Sequence, residues 1–330
     1  MADQNQSPDK GLTLHTGFGF KTIWLLESLP DGQYHTGREL HRTVLLPRQR
    51  EDPGLLVEFV DIPNRAALFG ALEKIRSTLA STGQVPLIHL ETHGDKKGVS
   101  LKSGEHVLYE ELCPVLRKIN VLAQNNLFVV VAACNGVYLS FILSNSLTDP
   151  SPFWGVCGPS VEISAGDVID GYSAFYGEAL VSADMNAAIG RLKQAIPHHA
   201  DKFNIWNSEY LFMLAFRHYL HVHCNPKAID QRAESIVKEA RAGLGTALDA
   251  EQCDRYVRER LGTEDGQKRE FERMITRFFM HDIYPRNPSL PSPSFEDMRR
   301  IRLVEKDAQQ ATGYQPIILK PQEGQADESA

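Results

Sequence analysis

Leu127-Phe128-Val129-Val130-Val131-Ala132-Ala133 (LFVVVAA) is the stretch that decides the fold. It is apolar without interruption and rich in β-branched residues, the pattern of a central parallel strand buried on both faces. It stops abruptly at Cys134-Asn135-Gly136. Upstream, Tyr109 to Leu122 has helical spacing, with Leu112, Val115, Leu116 and Ile119 on one face. Val99 to Leu108 contains a Ser-Gly turn and reads as a hairpin. A second apolar run, Val85 to Leu90 (VPLIHL), leads into Glu91-Thr92-His93-Gly94. Before it come a helix over Arg65 to Leu79 with Asn64 as N-cap, and strands over Leu55 to Ile62 and Thr22 to Ser28. Downstream, a helix is expected over Val137 to Leu143, a strand over Phe153 to Cys157, a turn at Gly158-Pro159-Ser160, and a long helical region from Asp167 to about Ile196. Strands alternating with helices imply right-handed crossovers and an α/β three-layer sandwich with a mostly parallel central sheet.

The character changes after Asp201. Ile205 to Val222 is apolar and aromatic, Ala228 to Gly243 and Glu251 to Leu261 are charged helical patterns, and Arg269 to Met280 is amphipathic. The expected organisation is therefore a disordered segment over 1–16, a sheet domain over 17–202, a C-terminal helical extension over 203–285, and a Pro-rich linker with a polar tail over 286–330. The 330 residues carry a net charge of −7 and 42% hydrophobic residues, ordinary values for a globular chain with a real core. The negative balance argues against a nucleic-acid binder that works by broad electrostatic attraction. No apolar stretch is long enough to cross a bilayer, and Met1 to Lys10 lacks a secretory h-region, so a cytoplasmic protein without membrane contact is expected.

The five cysteines, Cys113, Cys134, Cys157, Cys224 and Cys253, form no CxxC pair and no disulfide-like framework. Two of the strand-like runs end in reactive residues, one at His93-Gly94 and the other at Cys134-Asn135-Gly136. Ligands of open parallel sheets bind at the carboxyl ends of strands, so adjacent strands would set His93 and Cys134 in one crevice. A thiol becomes a nucleophile as its thiolate, and a neighbouring imidazole supplies the base. The N–H groups of Gly94 and Cys134 are candidates for an oxyanion hole. The bland alternative is a buried thiol at one strand end and an ordinary loop histidine at the other.

Ile88-His-Leu-Glu-Thr-His-Gly-Asp95 and Val129-Val-Val-Ala-Ala-Cys-Asn-Gly136 resemble the caspase-like cysteine peptidases (clan CD), which include caspases, metacaspases, separases and bacterial CHAT proteins. The caspase signature is Gln-Ala-Cys-[Arg/Gln/Gly]-Gly with a histidine about 50 residues upstream. Here Ala132 stands for Gln and Asn135 for the variable position, nearer the looser bacterial members. The resemblance covers roughly residues 20–200. It implies a caspase-like fold and a cysteine endopeptidase with His93 and Cys134 as catalytic dyad, needing no metal or organic cofactor. It also implies a protein substrate and a regulated effector, of the kind used in antiviral defence, switched on by a protein partner. Members that cut after Arg or Lys carry an acidic side chain after the next strand. Glu162 in Gly158-Pro-Ser-Val-Glu-Ile-Ser-Ala-Gly-Asp167 occupies that place, with Asp95 as a second acidic candidate for substrate binding. The alternatives are Glu162 as a solvated loop residue, with Ser164 or Asp167 capping the next helix, and Asp95 as a turn residue.

Other motifs carry less. Gly17-Phe-Gly-Phe20 precedes a strand and lacks phosphate-loop spacing. His218, His221, His223 and Cys224 do not share a helix face suited to zinc, and His198-His199 is a loop pair with no evident partner. Two further functions stay open: a catalytically inert caspase-like scaffold that binds a partner protein, and a nucleotide-sensing α/β module.

Overall fold

The computed structural model describes residues 19–145, 147–242 and 249–300; the expected disordered segment over 1–16 and the tail beyond 300 lie outside them. The strands are β1 Thr22–Ser28, β2 Leu56–Asp61, β3 Pro86–Gly94, β4 Gly98–Ser100, β5 His106–Leu108, β6 Phe128–Ala132, β7 Gly155–Pro159 and β8 Phe203–Asn207. The helices are α1 Thr36–Leu40, α2 Leu46–Glu51, α3 Arg65–Thr82, α4 Tyr109–Leu122, α5 Ala165–Ser182, α6 Met185–Ala195, α7 Ser208–His223, α8 Pro226–Arg241, α9 Ala250–Gly262, α10 Glu264–Phe278 and α11 Phe295–Arg300. A single turn of π-helix, His41–Leu45, joins α1 to α2.

The main sheet runs β2-β1-β3-β6-β7-β8. Every neighbouring pair is parallel as far as β7, and β8 closes the edge antiparallel to β7. β4 and β5 extend the far end of β3 as a small antiparallel ribbon. The expected α/β sandwich with a mostly parallel sheet is what the chain forms. Strand order reverses between β1 and β3, which places a topological switch point at their carboxyl ends.

Alternation along the strands divides the core into two layers. Trp24, Leu26, Ile88, Leu90, Val129 and Val131 face α3, α4, α7 and α10. Ile23, Leu25, Leu87, Phe128 and Val130 face α5, α6 and the α1–α2 segment. Both sides of β6 are buried, as its unbroken apolar run requires. α3 starts where expected: the Asn64 side chain accepts the Ala67 N–H, a cap worth about 1 kcal/mol. It ends at Gly83, whose φ of +68° is the left-handed C-cap that glycine favours.

Four expectations need correction. The helix over Val137 to Leu143 is a 3-10 coil, Gly136–Asn145. The chain turns back on β6 so tightly that a Cβ on Gly136 would stand 2.2 Å from the Val131 carbonyl oxygen. The long helix from Asp167 breaks at Ala183, which adopts φ +51°, and restarts with Asp184 as N-cap. Phe203–Asn207, assigned to the helical extension, is strand β8, so the sheet passes the expected boundary at residue 202. Pro285 to Phe295 is no loose linker: Tyr284 Oη donates to Val121 O at 2.9 Å, Leu290 is buried, and Phe295 and Met298 sit in the main core.

The helices after β8 belong to that same core. Phe212 and Phe216 of α7 pack against Phe271 and Phe278 of α10 at centroid distances of 5.0–5.5 Å. Removing the chain beyond about residue 225 would take Phe271, Phe278 and Phe279 out of the main core and is expected to unfold it. At the α9–α10 junction buried Glu270 accepts Arg260 Nε at 2.6 Å, Arg260 Nη2 at 2.8 Å and Arg273 Nη2 at 3.0 Å. Burial alone would raise its carboxyl, but the two guanidinium groups outweigh that and hold it below its ordinary value. A depressed carboxylate gives stability that is complete above the unfolded-chain value, about 4.3, and is lost as pH falls through the lower folded value. Hydrogen exchange in α9 and α10 is expected to accelerate below pH 4, and Glu270→Gln should remove that acid step. Among the described residues no helix is long and apolar enough to cross a membrane.

Candidate active site

The parallel register pairs Glu91 with Ala132. His93 stands two residues further along β3 and Cys134 two residues past the end of β6, so the register carries both to neighbouring strand ends beside the switch point. The β3 alternation carries His93 to the face of His89 and Glu91. His93 is exposed, and its Nε2 lies 2.7 Å from Gln33 Oε1 in the loop after β1. An amide oxygen only accepts, so Nε2 is the donor in this contact and Nδ1 is left facing away from Gln33. No hydrogen bond joins His93 to Cys134 directly; catalytic contacts of unliganded enzymes are commonly long before substrate tightens them.

Cys134 is half-buried. The turn that presents it is pinned on both sides: Asn135, at φ +60°, gives its N–H to Val161 O at 3.1 Å, and Gly136 gives its N–H to Ala133 O at 2.9 Å. The Cys134 N–H has no acceptor among the described residues. The Gly94 N–H points the same way. The Asp95 N–H donates to Gly98 O at 3.0 Å, which marks Asp95 and Gly98 as a hydrogen-bonded pair. Gly94 opposite Val99 is then a non-bonded pair, its N–H turned from β4 toward the β6 side. Gly94 also needs to be glycine for space, since a Cβ there would stand 3.2 Å from Cys134 O and 3.1 Å from Ala133 Cβ. The Gly94 N–H is thus turned toward the strand that leads to Cys134.

The remaining thiols lie in other surroundings. Burial pushes Cys113 and Cys157 up to about 12 and Cys224 to about 11, and Cys253 is buried. Tyr109, beneath the β3–β4 turn, is raised above its usual range by burial first, then by the Asp95 and Cys134 charges, so it stays a neutral phenol. Lys96 in the same turn holds its ammonium 5.3 Å from the centre of the Tyr138 ring, three residues into the coil after Cys134.

The two acidic candidates part company. Asp95 is a turn residue: its Oδ1 accepts the N–H groups of Lys97 at 2.6 Å and Gly98 at 3.0 Å. Burial would raise its carboxyl, but these N–H groups and His106 outweigh that and hold it low. Glu162 is exposed, next to Val161, whose carbonyl holds Asn135, so it borders the Cys134 turn. His198 and His199 do have a partner, contrary to the expectation from sequence: both converge on Asp167.

Sequence reading missed the support beneath the site. Glu27 of β1 and Glu91 of β3 lie side by side in register, both buried. Glu27 accepts His35 Nδ1 at 2.8 Å and Arg38 N–H at 2.9 Å; Glu91 accepts Thr36 Oγ1 at 2.7 Å and His89 Nε2 at 3.0 Å. His89 Nδ1 reaches Tyr176 Oη at 2.9 Å. Gly37 of α1 fits over both carboxylates, with space so tight that a Cβ would meet Glu27 Oε1 and Glu91 Cγ at 3.0 Å. The network fastens the end of the loop that carries Gln33, and thus the ring of His93. The signal was present in the sequence as two carboxylates inside apolar strands. Gln33 had no such signal.

A cleft of about 660 Å³ opens at the opposite end of the sheet, between Gly83, Val85, Asn126 and Trp154. It holds no titratable side chain and lies far from the strand ends that carry the reactive residues. No protein-family model matches the chain, and no curated protein matches it.

Proposed function

We propose that the protein is a cysteine hydrolase of caspase-like type, acting on peptide bonds, with Cys134 as nucleophile and His93 as its base. The observation that carries this reading is the common level of His93 and Cys134 at neighbouring parallel strand ends, with the imidazole held by Gln33 so that Nδ1 is the free nitrogen. His93 Nδ1 takes the proton from Cys134 Sγ, and the thiolate attacks the scissile carbonyl carbon. The oxygen, now negative, is received by the N–H groups of Cys134 and Gly94. His93 returns the proton to the leaving amine and a thioester remains. Water, deprotonated by the same imidazole, hydrolyses it and restores the thiol. Glu162, exposed beside the Cys134 turn, is the candidate carboxylate for an Arg or Lys side chain preceding the cut. A cytoplasmic effector switched on by a protein partner is the role that the resemblance implies for such a chain.

The test is a fluorogenic peptide library varied at the residue before the cut, with wild type and Cys134→Ala in parallel. Cleavage by wild type alone, with Arg or Lys preferred, is the expected result. Equal cleavage by both proteins would dismiss the dyad, and a preference for Asp or apolar residues would dismiss Glu162 alone. The second reading, an inert scaffold, draws on the missing His93–Cys134 hydrogen bond. It predicts that neither protein cleaves any peptide.

Gln33 acts as a positioning residue in this account. Gln33→Ala is expected to lower kcat about ten- to hundredfold, the usual scale for a partner that orients a functional histidine, with KM unchanged. Gln33→Glu keeps the acceptor and should restore most of the rate. An unchanged kcat in Gln33→Ala would remove Gln33 from the mechanism.

A further inference from the structure

Outside the candidate active site, one cluster gathers metal-ligating atoms from distant parts of the chain. Asp167 lies in the first turn of α5, and His198 and His199 lie in the 3-10 turn Pro197–His199 that follows α6. His198 Nε2 stands 2.7 Å from Asp167 Oδ1, His199 Nδ1 stands 3.2 Å from Oδ2, and the two rings are 4.7 Å apart. All three ligand atoms fall within 4.8 Å of one another. The carboxylate is buried and oriented: Ser164 Oγ donates to Oδ2 at 2.7 Å while accepting the Asp167 N–H. The histidines are fixed by their backbone, with His199 N–H on Ile196 O and His199 O receiving Lys202 N–H, each at 2.9 Å.

We propose that Asp167, His198 and His199 form a binding site for a divalent transition cation of the zinc class. Two imidazole nitrogens and one carboxylate are the three-ligand set that such ions take, with a further position left to water. Hard cations such as calcium and magnesium ask for oxygen ligands throughout and are poorly matched here. Bonds of about 2.0–2.1 Å to zinc separate tetrahedral ligands by about 3.3 Å; the two His–Asp spacings of 2.7 and 3.2 Å lie just below that, and the whole set lies within 4.8 Å, so small side-chain shifts bring the three atoms around one ion. His198 is largely exposed, which leaves a way in and room for the water.

The cation would join α5 to the turn after α6, and its position has a consequence for the neighbouring site. Lys202, bonded to His199, receives both the N–H and the hydroxyl of Ser160 on its carbonyl. Ser160 opens the loop that carries Val161 and Glu162 to the Cys134 turn. The cation site stands whether or not the chain is a peptidase.

The test is titration of the full-length chain with Zn²⁺ and with Co²⁺ as spectroscopic probe. Cys134→Ala serves as background, so that the active-site thiol cannot compete. The expected result is one bound ion per chain, a rise in Tm with Zn²⁺, and a Co²⁺ spectrum with d–d bands but no thiolate charge-transfer band. His198→Ala and His199→Ala, both at solvent-reached positions that leave the core intact, should each weaken binding at least tenfold. Undiminished binding in both variants, a thiolate band, or no binding of either ion would overturn the site.

Discussion

Glu91→Ala is expected to cost about 3–5 kcal/mol of stability. The reason is what remains behind. Thr36 Oγ1 and His89 Nε2 both lose the carboxylate they donate to, in a place water does not reach. The Glu27 carboxylate on the neighbouring strand is left facing a void under Gly37. Orphaned buried donors carry their full desolvation cost, and the vacated volume adds a cavity term. Glu91→Gln keeps the shape and one acceptor oxygen, so its loss should be less than half as large. Urea unfolding reads the difference as a lower midpoint at constant m. A loss below about 1 kcal/mol for Glu91→Ala would mean that the carboxylate pair does not support the sheet in the way its contacts suggest.

The second large effect is on chemistry. Cys134→Ala is expected to reduce peptide hydrolysis about 10⁴- to 10⁶-fold, and His93→Ala about as much, because nucleophile and base act as a unit. The double variant should therefore be no worse than either single one. This non-additivity separates a dyad from two residues that merely line the same crevice. Additive losses, with the double variant slower than either single one by about a further 10⁴- to 10⁶-fold, would break the pairing of Cys134 with His93. Neither substitution should disturb the fold, since His93 is exposed and Cys134 only half-buried.

The two strands that carry these residues were legible because their neighbours in sequence have a single physical reading. Leu127 to Ala133 is too apolar and too β-branched to be anything but a strand buried on both faces, and Val85 to Leu90 is a shorter apolar run interrupted by Pro86 and His89. Two such strands ending in His93-Gly94 and Cys134-Asn135-Gly136 lead to the expectation of a common crevice, and the sheet does set β3 beside β6. Gly136–Asn145 was misread because it is apolar on every side, a pattern that any coil buried between sheet and helix shares. β8 was missed because Phe203–Asn207 is short and runs straight into the aromatic face of α7, so its own alternation merged with a helical one. Contacts between distant segments left no local trace at all. Gln33 meets His93 across 60 residues, and Asp167 meets His199 across 32. No periodicity or capping pattern encodes such pairs; only the strand order brings them together.

The most direct measurement of the central claim is the site and rate of alkylation by a small thiol-reactive probe at neutral pH, mapped by mass spectrometry in wild type and His93→Ala. Burial and thiols pushed up to about 11–12 protect Cys224, Cys113 and Cys157. The account predicts that Cys134 is modified first, and that His93→Ala slows that modification at least tenfold without altering the others. Modification of Cys134 at the same rate in both proteins, or of another cysteine ahead of it, would contradict a nucleophile activated by His93.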